Sequence, residues 1–213
     1  IYLGDDERKR MATTKSQYLI ERFLYKDKLY LSSYVGKDVF GAQDKIDSVK
    51  FGFNWGNKSA TARWNHLYND KLFGNATAIY NDYLFHITTT MDMLELKVTS
   101  GIKDYGFKYD FDYYPSVRQK IKFGVNSVYQ QFIPSAVKVN FDTNTVFKND
   151  TTKYVSTTAL YFNDEFDWSE KFSMNVGFRV PFFLYKDIYY LNAEPRLTAK
   201  YSINSASSIK FGY

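Results

Sequence analysis

The chain has 213 residues, of which 20% are aromatic and 24% charged, with a formal net charge of +5 and a mean hydropathy of −0.43. It has no cysteine, which excludes a disulfide framework, a thiolate metal site and a cysteine nucleophile. Its basic residues alternate with Asp and Glu instead of clustering, which argues against a nucleic-acid partner, and no run of 18 apolar residues exists to cross a membrane as a helix.

The chain opens on Ile1 and a polar stretch from Gly4 to Arg10 with no leader, as a mature form or a piece of a longer protein would. Turn formers then mark five short connections, at Lys26-Asp27, Asn69-Asp70-Lys71, Pro115-Ser116, Ser169-Glu170 and Asn204-Ser205. Between them the pattern allows two strands and one longer connection, the longer ones falling near 37–48, 88–94, 135–151 and 186–188.

The strands read with a period of two. Over 101–114, Tyr105, Phe107, Tyr109, Phe111 and Tyr113 share one face, and Asp104, Lys108, Asp110 and Asp112 share the other. Next, Ile121, Phe123, Val125 and Tyr129 oppose Lys120, Lys122, Asn126 and Gln130. Over 158–168, Leu160, Phe162, Phe166 and Trp168 oppose Tyr161, Asn163, Glu165 and Asp167, with Asp164 interrupting the apolar row. Phe172, Met174, Val176, Phe178 and Val180 then oppose Ser173, Asn175 and Arg179. The alternation at 191–203 sets Leu191, Pro195, Leu197 and Tyr201 against Glu194, Arg196 and Lys200, and Ile209, Phe211 and Tyr213 form a last row.

This pattern predicts an all-β fold: an antiparallel transmembrane β-barrel segment of about ten up-and-down strands, with short periplasmic turns and longer outer loops. A soluble sandwich also alternates, but three features favour lipid. The strands are long against the usual five or six residues of a soluble strand. Trp64, Tyr68, Tyr113, Tyr114 and Trp168 lie within a few residues of short turns, where amphipathic rings favour a membrane interface. Charges sit in mid-strand opposite the aromatic rows, giving Asp104, Lys108, Asp110, Asp112, Lys120, Lys122, Glu165, Arg179, Glu194 and Arg196 as candidate lumen-facing residues. The expected location is the outer membrane of a Gram-negative bacterium, in contact with its lipid, and residues 1–213 are read as one barrel domain with no internal boundary.

Chemistry-bearing constellations are few. The carboxylates of Asp104, Asp110 and Asp112, and of Glu165 and Asp167, share a face and read as lumen lining that pairs with Lys108, Lys120 or Lys122 across strands. His66 and His86 are isolated. No phosphate loop, nucleophile elbow or dinucleotide fingerprint occurs, so neither an enzyme nor a cofactor is expected.

Several stretches, in shared order and spacing, resemble the barrel of TonB-dependent outer-membrane receptors of the SusC-like, carboxypeptidase-regulatory-domain type. They are Trp55-Gly56-Asn57, Ala62 to His66, Lys71 to Asn75, Phe111 to Pro115 with Arg118 and Lys122 to Asn126, Ala159 to Glu165 with Asn175 to Arg179, and Leu191 to Leu197 with Ser208 to Lys210. The resemblance implies a barrel of about 22 strands around an N-terminal plug. It also implies uptake of a scarce nutrient driven by the TonB complex, with a surface lipoprotein as a possible further partner. On that reading the chain is a barrel segment whose plug and remaining strands lie elsewhere in the same receptor. The competing expectation is a complete ten-stranded barrel with a structural, adhesive or pore role, supported by the aromatic-ended row Ile209, Phe211 and Tyr213.

Overall fold

The computed structural model describes residues 10–23, 25–43, 49–149 and 151–213. No helix occurs among them. Twelve strands form one antiparallel sheet: β1 (Arg10–Phe23), β2 (Asp27–Gln43), β3 (Val49–Asn69), β4 (Leu72–Met91), β5 (Leu94–Ser116), β6 (Gln119–Phe141), β7 (Asn144–Asn149), β8 (Lys153–Asp167), β9 (Phe172–Tyr185), β10 (Ile188–Leu191), β11 (Glu194–Ser202) and β12 (Ser208–Gly212). The meander β1-β2-β3-β4-β5-β6-β8-β9-β11-β12 has ten strands, with β7 paired to β6 and β10 to β9. β10 and β11 hold one register against β9, from Ile188↔Tyr185 through to Tyr201↔Phe172, so they are one strand interrupted at Asn192 and Ala193.

All five short connections expected from turn formers are strand reversals on one edge of the sheet. At the opposite edge the long connections are built largely as ribbon. β4 and β5, β6 and β7, and β9 and β10 continue as paired strands to the two-residue turns Asp92-Met93, Asp142-Thr143 and Lys186-Asp187. The first residue of each turn has a left-handed backbone, with φ of 49°, 53° and 53°. Asp accepts that conformation through local hydrogen bonding, which helps the segment around Asp92 and Asp142 close as a hairpin. Within the expected connection at 37–48, residues 37–43 belong to β2, and 44–48 lie outside the described residues.

The register assigns every strand residue to one of two faces. On the first, Leu72, Tyr113, Ile121, Asp164, Val176 and Leu197 lie opposite one another across six strands. This is the aromatic face, and the other is the ionic face. Asp164, the acid interrupting the aromatic row, accepts hydrogen bonds from Gln119 Nε2 at 2.9 and 3.0 Å beside the turn edge.

The described residues form no hydrophobic core. Ala159 is the one buried apolar residue among those described, and no large side chain is fully buried. Leu160 is 62% exposed, and Phe107, Phe162 and Phe178 are 45–49% exposed. A water-soluble chain of this length buries most of its large apolar groups and rarely leaves so wide an apolar surface uncovered.

A β-bulge changes the phase of β6. Thr99 pairs with Ala136 and Gly101 with Ile133, so Pro134 and Ser135 together oppose Ser100. Pro134 has no N–H to give to a ladder and is tolerated at such a place. Below the bulge the odd residues of β6 lie on the aromatic face. Above it Val137, Val139 and Phe141 lie on the ionic face, opposite Val98, Leu96 and Leu94. In the cysteine-free background, the pair Val98→Cys and Val137→Cys should therefore cross-link on oxidation, since directly opposed residues sit within disulfide reach. Val98→Cys with Ala136→Cys, the pair that the lower register would oppose if β6 carried no extra residue, should give much less of that product, read on non-reducing gels. Equal cross-linking of the two pairs would show that the bulge does not set the phase.

Candidate functional site

Strands β3 to β6 carry a reversal of polarity along their length. Along β5, the aromatic face runs Tyr113, Phe111, Tyr109, Phe107 and Tyr105, and then turns polar at Lys103. The ionic face runs Asp112, Asp110, Lys108, Gly106 and Asp104, and then turns apolar at Ile102, Val98, Leu96 and Leu94. β3 and β4 do the same. Their ionic face passes from Asn65, Arg63, Asn75 and Thr77 to Trp55, Phe53, Phe51, Tyr83 and Phe85. Each face is thus apolar over one part of the strand and polar over the other.

Two aromatic rows bracket the apolar part of the aromatic face. Near the turn edge, Trp64 Nε1 donates to Asp27 Oδ1 at 2.7 Å and His66 Nδ1 meets the same oxygen at 2.6 Å. His66 packs edge-on against Tyr68 with ring centroids 4.5 Å apart, and the Tyr68 and Tyr109 hydroxyls are hydrogen-bonded. At the other limit Tyr80, Tyr105, Tyr129 and Tyr154 run across β4, β5, β6 and β8 with successive centroids 5.3, 6.4 and 6.1 Å apart. Just past this row Lys103 Nζ approaches Asp82 Oδ2 at 3.8 Å. From Tyr113 to Tyr105 is eight residues, about 26 Å along the strand at roughly 3.3 Å per residue. At the 35–45° tilt typical of barrels this becomes roughly 20 Å, comparable to the apolar band of an outer-membrane barrel.

The ten residues anticipated for the lumen, Asp104, Lys108, Asp110, Asp112, Lys120, Lys122, Glu165, Arg179, Glu194 and Arg196, all fall on the ionic face. Their charges pair both along a strand and across strands. Lys108 Nζ lies 3.0 Å from Asp110 Oδ2, and Lys120 Nζ lies 3.7 Å from Asp112 Oδ1. Lys122 stands directly opposite Asp112, and Gln130 Nε2 donates to Asp104 at 2.9 Å. Glu194 accepts from Arg179 and Arg196, each at 3.1 Å. Asn75 Nδ2 donates to Asp112 Oδ2, and Asn65 Nδ2 donates to Asn75 Oδ1. Buried among these groups, Asn65 Oδ1, Asp110 Oδ1, Asp112 Oδ1 and Tyr161 Oη have no hydrogen-bond partner. Such a wall offers alternating signs and does not favour a single-charge filter.

Of the anticipated interface aromatics, Trp64, Tyr68 and Tyr113 lie on the aromatic face near the turn edge. Trp168 is in the β8–β9 turn beside Phe166, 75% exposed. Tyr114 lies on the ionic face, where alternation places it two residues after Asp112. It packs edge-on against Phe73 and lies under Lys120 Nζ. The Tyr80–Tyr154 row and the apolar end of the ionic face escaped the reading by alternation. The available signal was the parity of charge, with Lys103 and Lys97 at odd positions and Asp104 and Lys108 at even ones.

No family model matches the sequence, and no curated sequence does. Among solved structures the chain is similar to BauA, the ferric preacinetobactin receptor from Acinetobacter baumannii. The TM-score is 0.65 at 9% identity, covering 94% of this chain and 38% of that one. It is also similar to the unliganded ferric citrate transporter FecA, with a TM-score of 0.54 at 10% identity, covering 93% of this chain and 42% of that one. At these identities the likeness is one of fold. The chain has the antiparallel fold of an outer-membrane β-barrel, and it spans 38–42% of the length of those proteins.

A glycine fixes the middle of the ionic face. A β-carbon on Gly124 would overlap the Tyr109 carbonyl oxygen and lie 2.7 Å from Tyr161 Oη, while Lys108 Nζ sits 5.8 Å from the Tyr161 ring centroid. Gly124→Ala should therefore displace Tyr161 or spread β5 from β6, at a cost of about 1–3 kcal/mol. Urea unfolding in lipid vesicles should report it. The double variant Gly124→Ala with Tyr161→Ala should recover part of the loss, because it removes one of the two clashing groups.

Proposed function

We propose that this chain is part of the barrel of an outer-membrane receptor that imports a scarce nutrient, TonB-dependent and of the SusC-like kind that the sequence resembles. The observation that carries the reading is the apolar band of the aromatic face, bounded by two aromatic rows and backed by an ionic wall. On this reading the aromatic face meets lipid, the ten charged residues line the lumen, and Trp64, Tyr68, Tyr113 and Trp168 sit at the inner interface. β1 pairs only with β2, and β12 only with β11, among the described residues. Strands in hydrocarbon need every backbone group paired, so these two edges call for further strands of the same receptor. A plug in the lumen would meet this polar face, and the TonB complex would act through that plug. A surface lipoprotein over the outer mouth belongs to the same proposal. BauA is described as a ferric preacinetobactin receptor and FecA as a ferric citrate transporter. A chelated metal is therefore the first substrate class to try.

Two measurements test this. In the outer membrane, Leu160→Arg should cost about 2–4 kcal/mol of stability by placing a charge in mid-bilayer. Asn126→Arg, in the same stretch but on the ionic face, should cost much less. Equal costs would defeat the assignment of faces. In cells, the full-length protein should support uptake of a ferric chelate with an intact TonB complex and lose it when that complex is deleted. Uptake that persists without TonB would favour a passive pore.

A further inference from the structure

Four phenol rings stand in an unbroken file on the aromatic face. Tyr80, Tyr105, Tyr129 and Tyr154 lie on β4, β5, β6 and β8 with successive centroids 5.3, 6.4 and 6.1 Å apart, and the last two are within 16° of parallel. Tyr105, Tyr129 and Tyr154 are 45–49% exposed, and Tyr80 is half-buried. Tyr80 is also the member with a proton acceptor. Its Oη donates to Asp82 Oδ2 at 3.2 Å, whereas among the described residues no carboxylate accepts from the other three hydroxyls. Lys103 Nζ lies 3.8 Å from the same oxygen, and Lys58 stands opposite Asp82 on β3.

The chemistry of phenols separates the four. An electron leaves a phenol easily only when the hydroxyl proton leaves with it, because the oxidised ring holds that proton very weakly. A phenol already bonded to a carboxylate therefore holds the hole best. Rings in contact pass an electron between neighbours, so a hole created anywhere along the file drains to Tyr80. The chain has no cysteine, the residue whose thiolate usually meets an oxidant first.

We propose that this row is a radical sink for the surrounding lipid, with lipid peroxyl radicals as its oxidant. This rests on the aromatic face meeting lipid. A peroxyl radical takes a hydrogen atom from Tyr105, Tyr129 or Tyr154, so a phenolic O–H bond breaks and a hydroperoxide O–H bond forms. An electron from Tyr80 then fills the phenoxyl through the rings between them, and interfacial water returns its proton. Tyr80 gives its own proton to Asp82, which releases it to water. The balance is one hydrogen atom moved from Tyr80 to the peroxyl, with one tyrosyl radical left on the half-buried ring. The step is stoichiometric.

The test uses the full-length protein, purified and placed in vesicles of polyunsaturated phosphatidylcholine, with peroxidation started by a lipid-soluble azo initiator. A nitroso spin trap marks the radical, and peptide mass spectrometry locates the adduct. In the wild-type protein the adduct should sit mainly on Tyr80. Tyr105→Phe, which keeps the packing but cannot relay a hole, should move it to Tyr129 and Tyr154. Asp82→Asn should lower the share on Tyr80 against the other three by roughly 10-fold, taking a hydrogen bond to a charged group at its usual strength. Tyr83→Phe on the ionic face should change nothing. Heat-modifiable migration on gels confirms that each variant is folded. Adducts spread evenly over the four rings of the wild-type protein overturn the proposal, as does an undiminished share on Tyr80 in Tyr105→Phe or Asp82→Asn. If the wild-type protein fails to fractionate with outer membranes, the placement falls and the lipid oxidant with it. The relay is then read separately, by the same adduct map after photo-oxidation in detergent with a ruthenium complex and persulfate.

Discussion

Everything in this structure follows from the hydrogen-bonding needs of a backbone in contact with hydrocarbon. An unpaired N–H or C=O in lipid costs several kcal/mol, and only helices or laterally paired strands avoid that cost. No helix is present among the described residues, and the ten-strand meander pairs neighbour to neighbour. Once the ladder is fixed, side chains have only two directions to take. Lipid on one side and water on the other then dictate the alternation, and stability needs no dry core. That is why Ala159 is the one buried apolar residue described, while Leu160 beside it is largely exposed.

The same logic explains where charge is allowed. Lys108, Asp110, Arg179 and Glu194 all stand on the ionic face, and each has a partner of opposite sign within 3.1 Å. Asp164 and Asp27 are carboxylates on the aromatic face, and both are tied down at its turn edge, by Gln119 and by Trp64 with His66. His66, which looked isolated in sequence, is a ring wedged between Trp64 and Tyr68 near the turn edge.

Much of this was legible in the sequence, because a period of two leaves little freedom once the strands are located. The five turn positions, the ten-strand count and the shared face of all ten charged residues follow from alternation and turn chemistry alone. Three things were not legible. Alternation is blind to a bulge, so it cannot foresee that Val137 and Lys138 exchange faces after Pro134 and Ser135. It does not show how a ring at a strand end packs, and Tyr114 lies under Lys120 Nζ and edge-on against Phe73. It also treats each strand as uniform, whereas β5 changes solvent at Lys103. Loop length was a further ambiguity: polar segments such as 135–151 have the composition of loops, yet they pair as hairpins wherever a residue like Asp142 accepts a left-handed turn.

The phase change in β6 has a consequence for how such a chain varies over evolutionary time. On the lipid side of the bulge, inserting one residue would invert a whole strand, so that part of the gene tolerates substitution but hardly any change in length. Past the bulge the alternation starts afresh, and the hairpin of β6 and β7 has a free end. Residues can be gained or lost there without disturbing a single position in the bilayer. The extra residue therefore divides one strand into a fixed frame and an exchangeable tip, and it is at the tip that related chains should be found to differ in length.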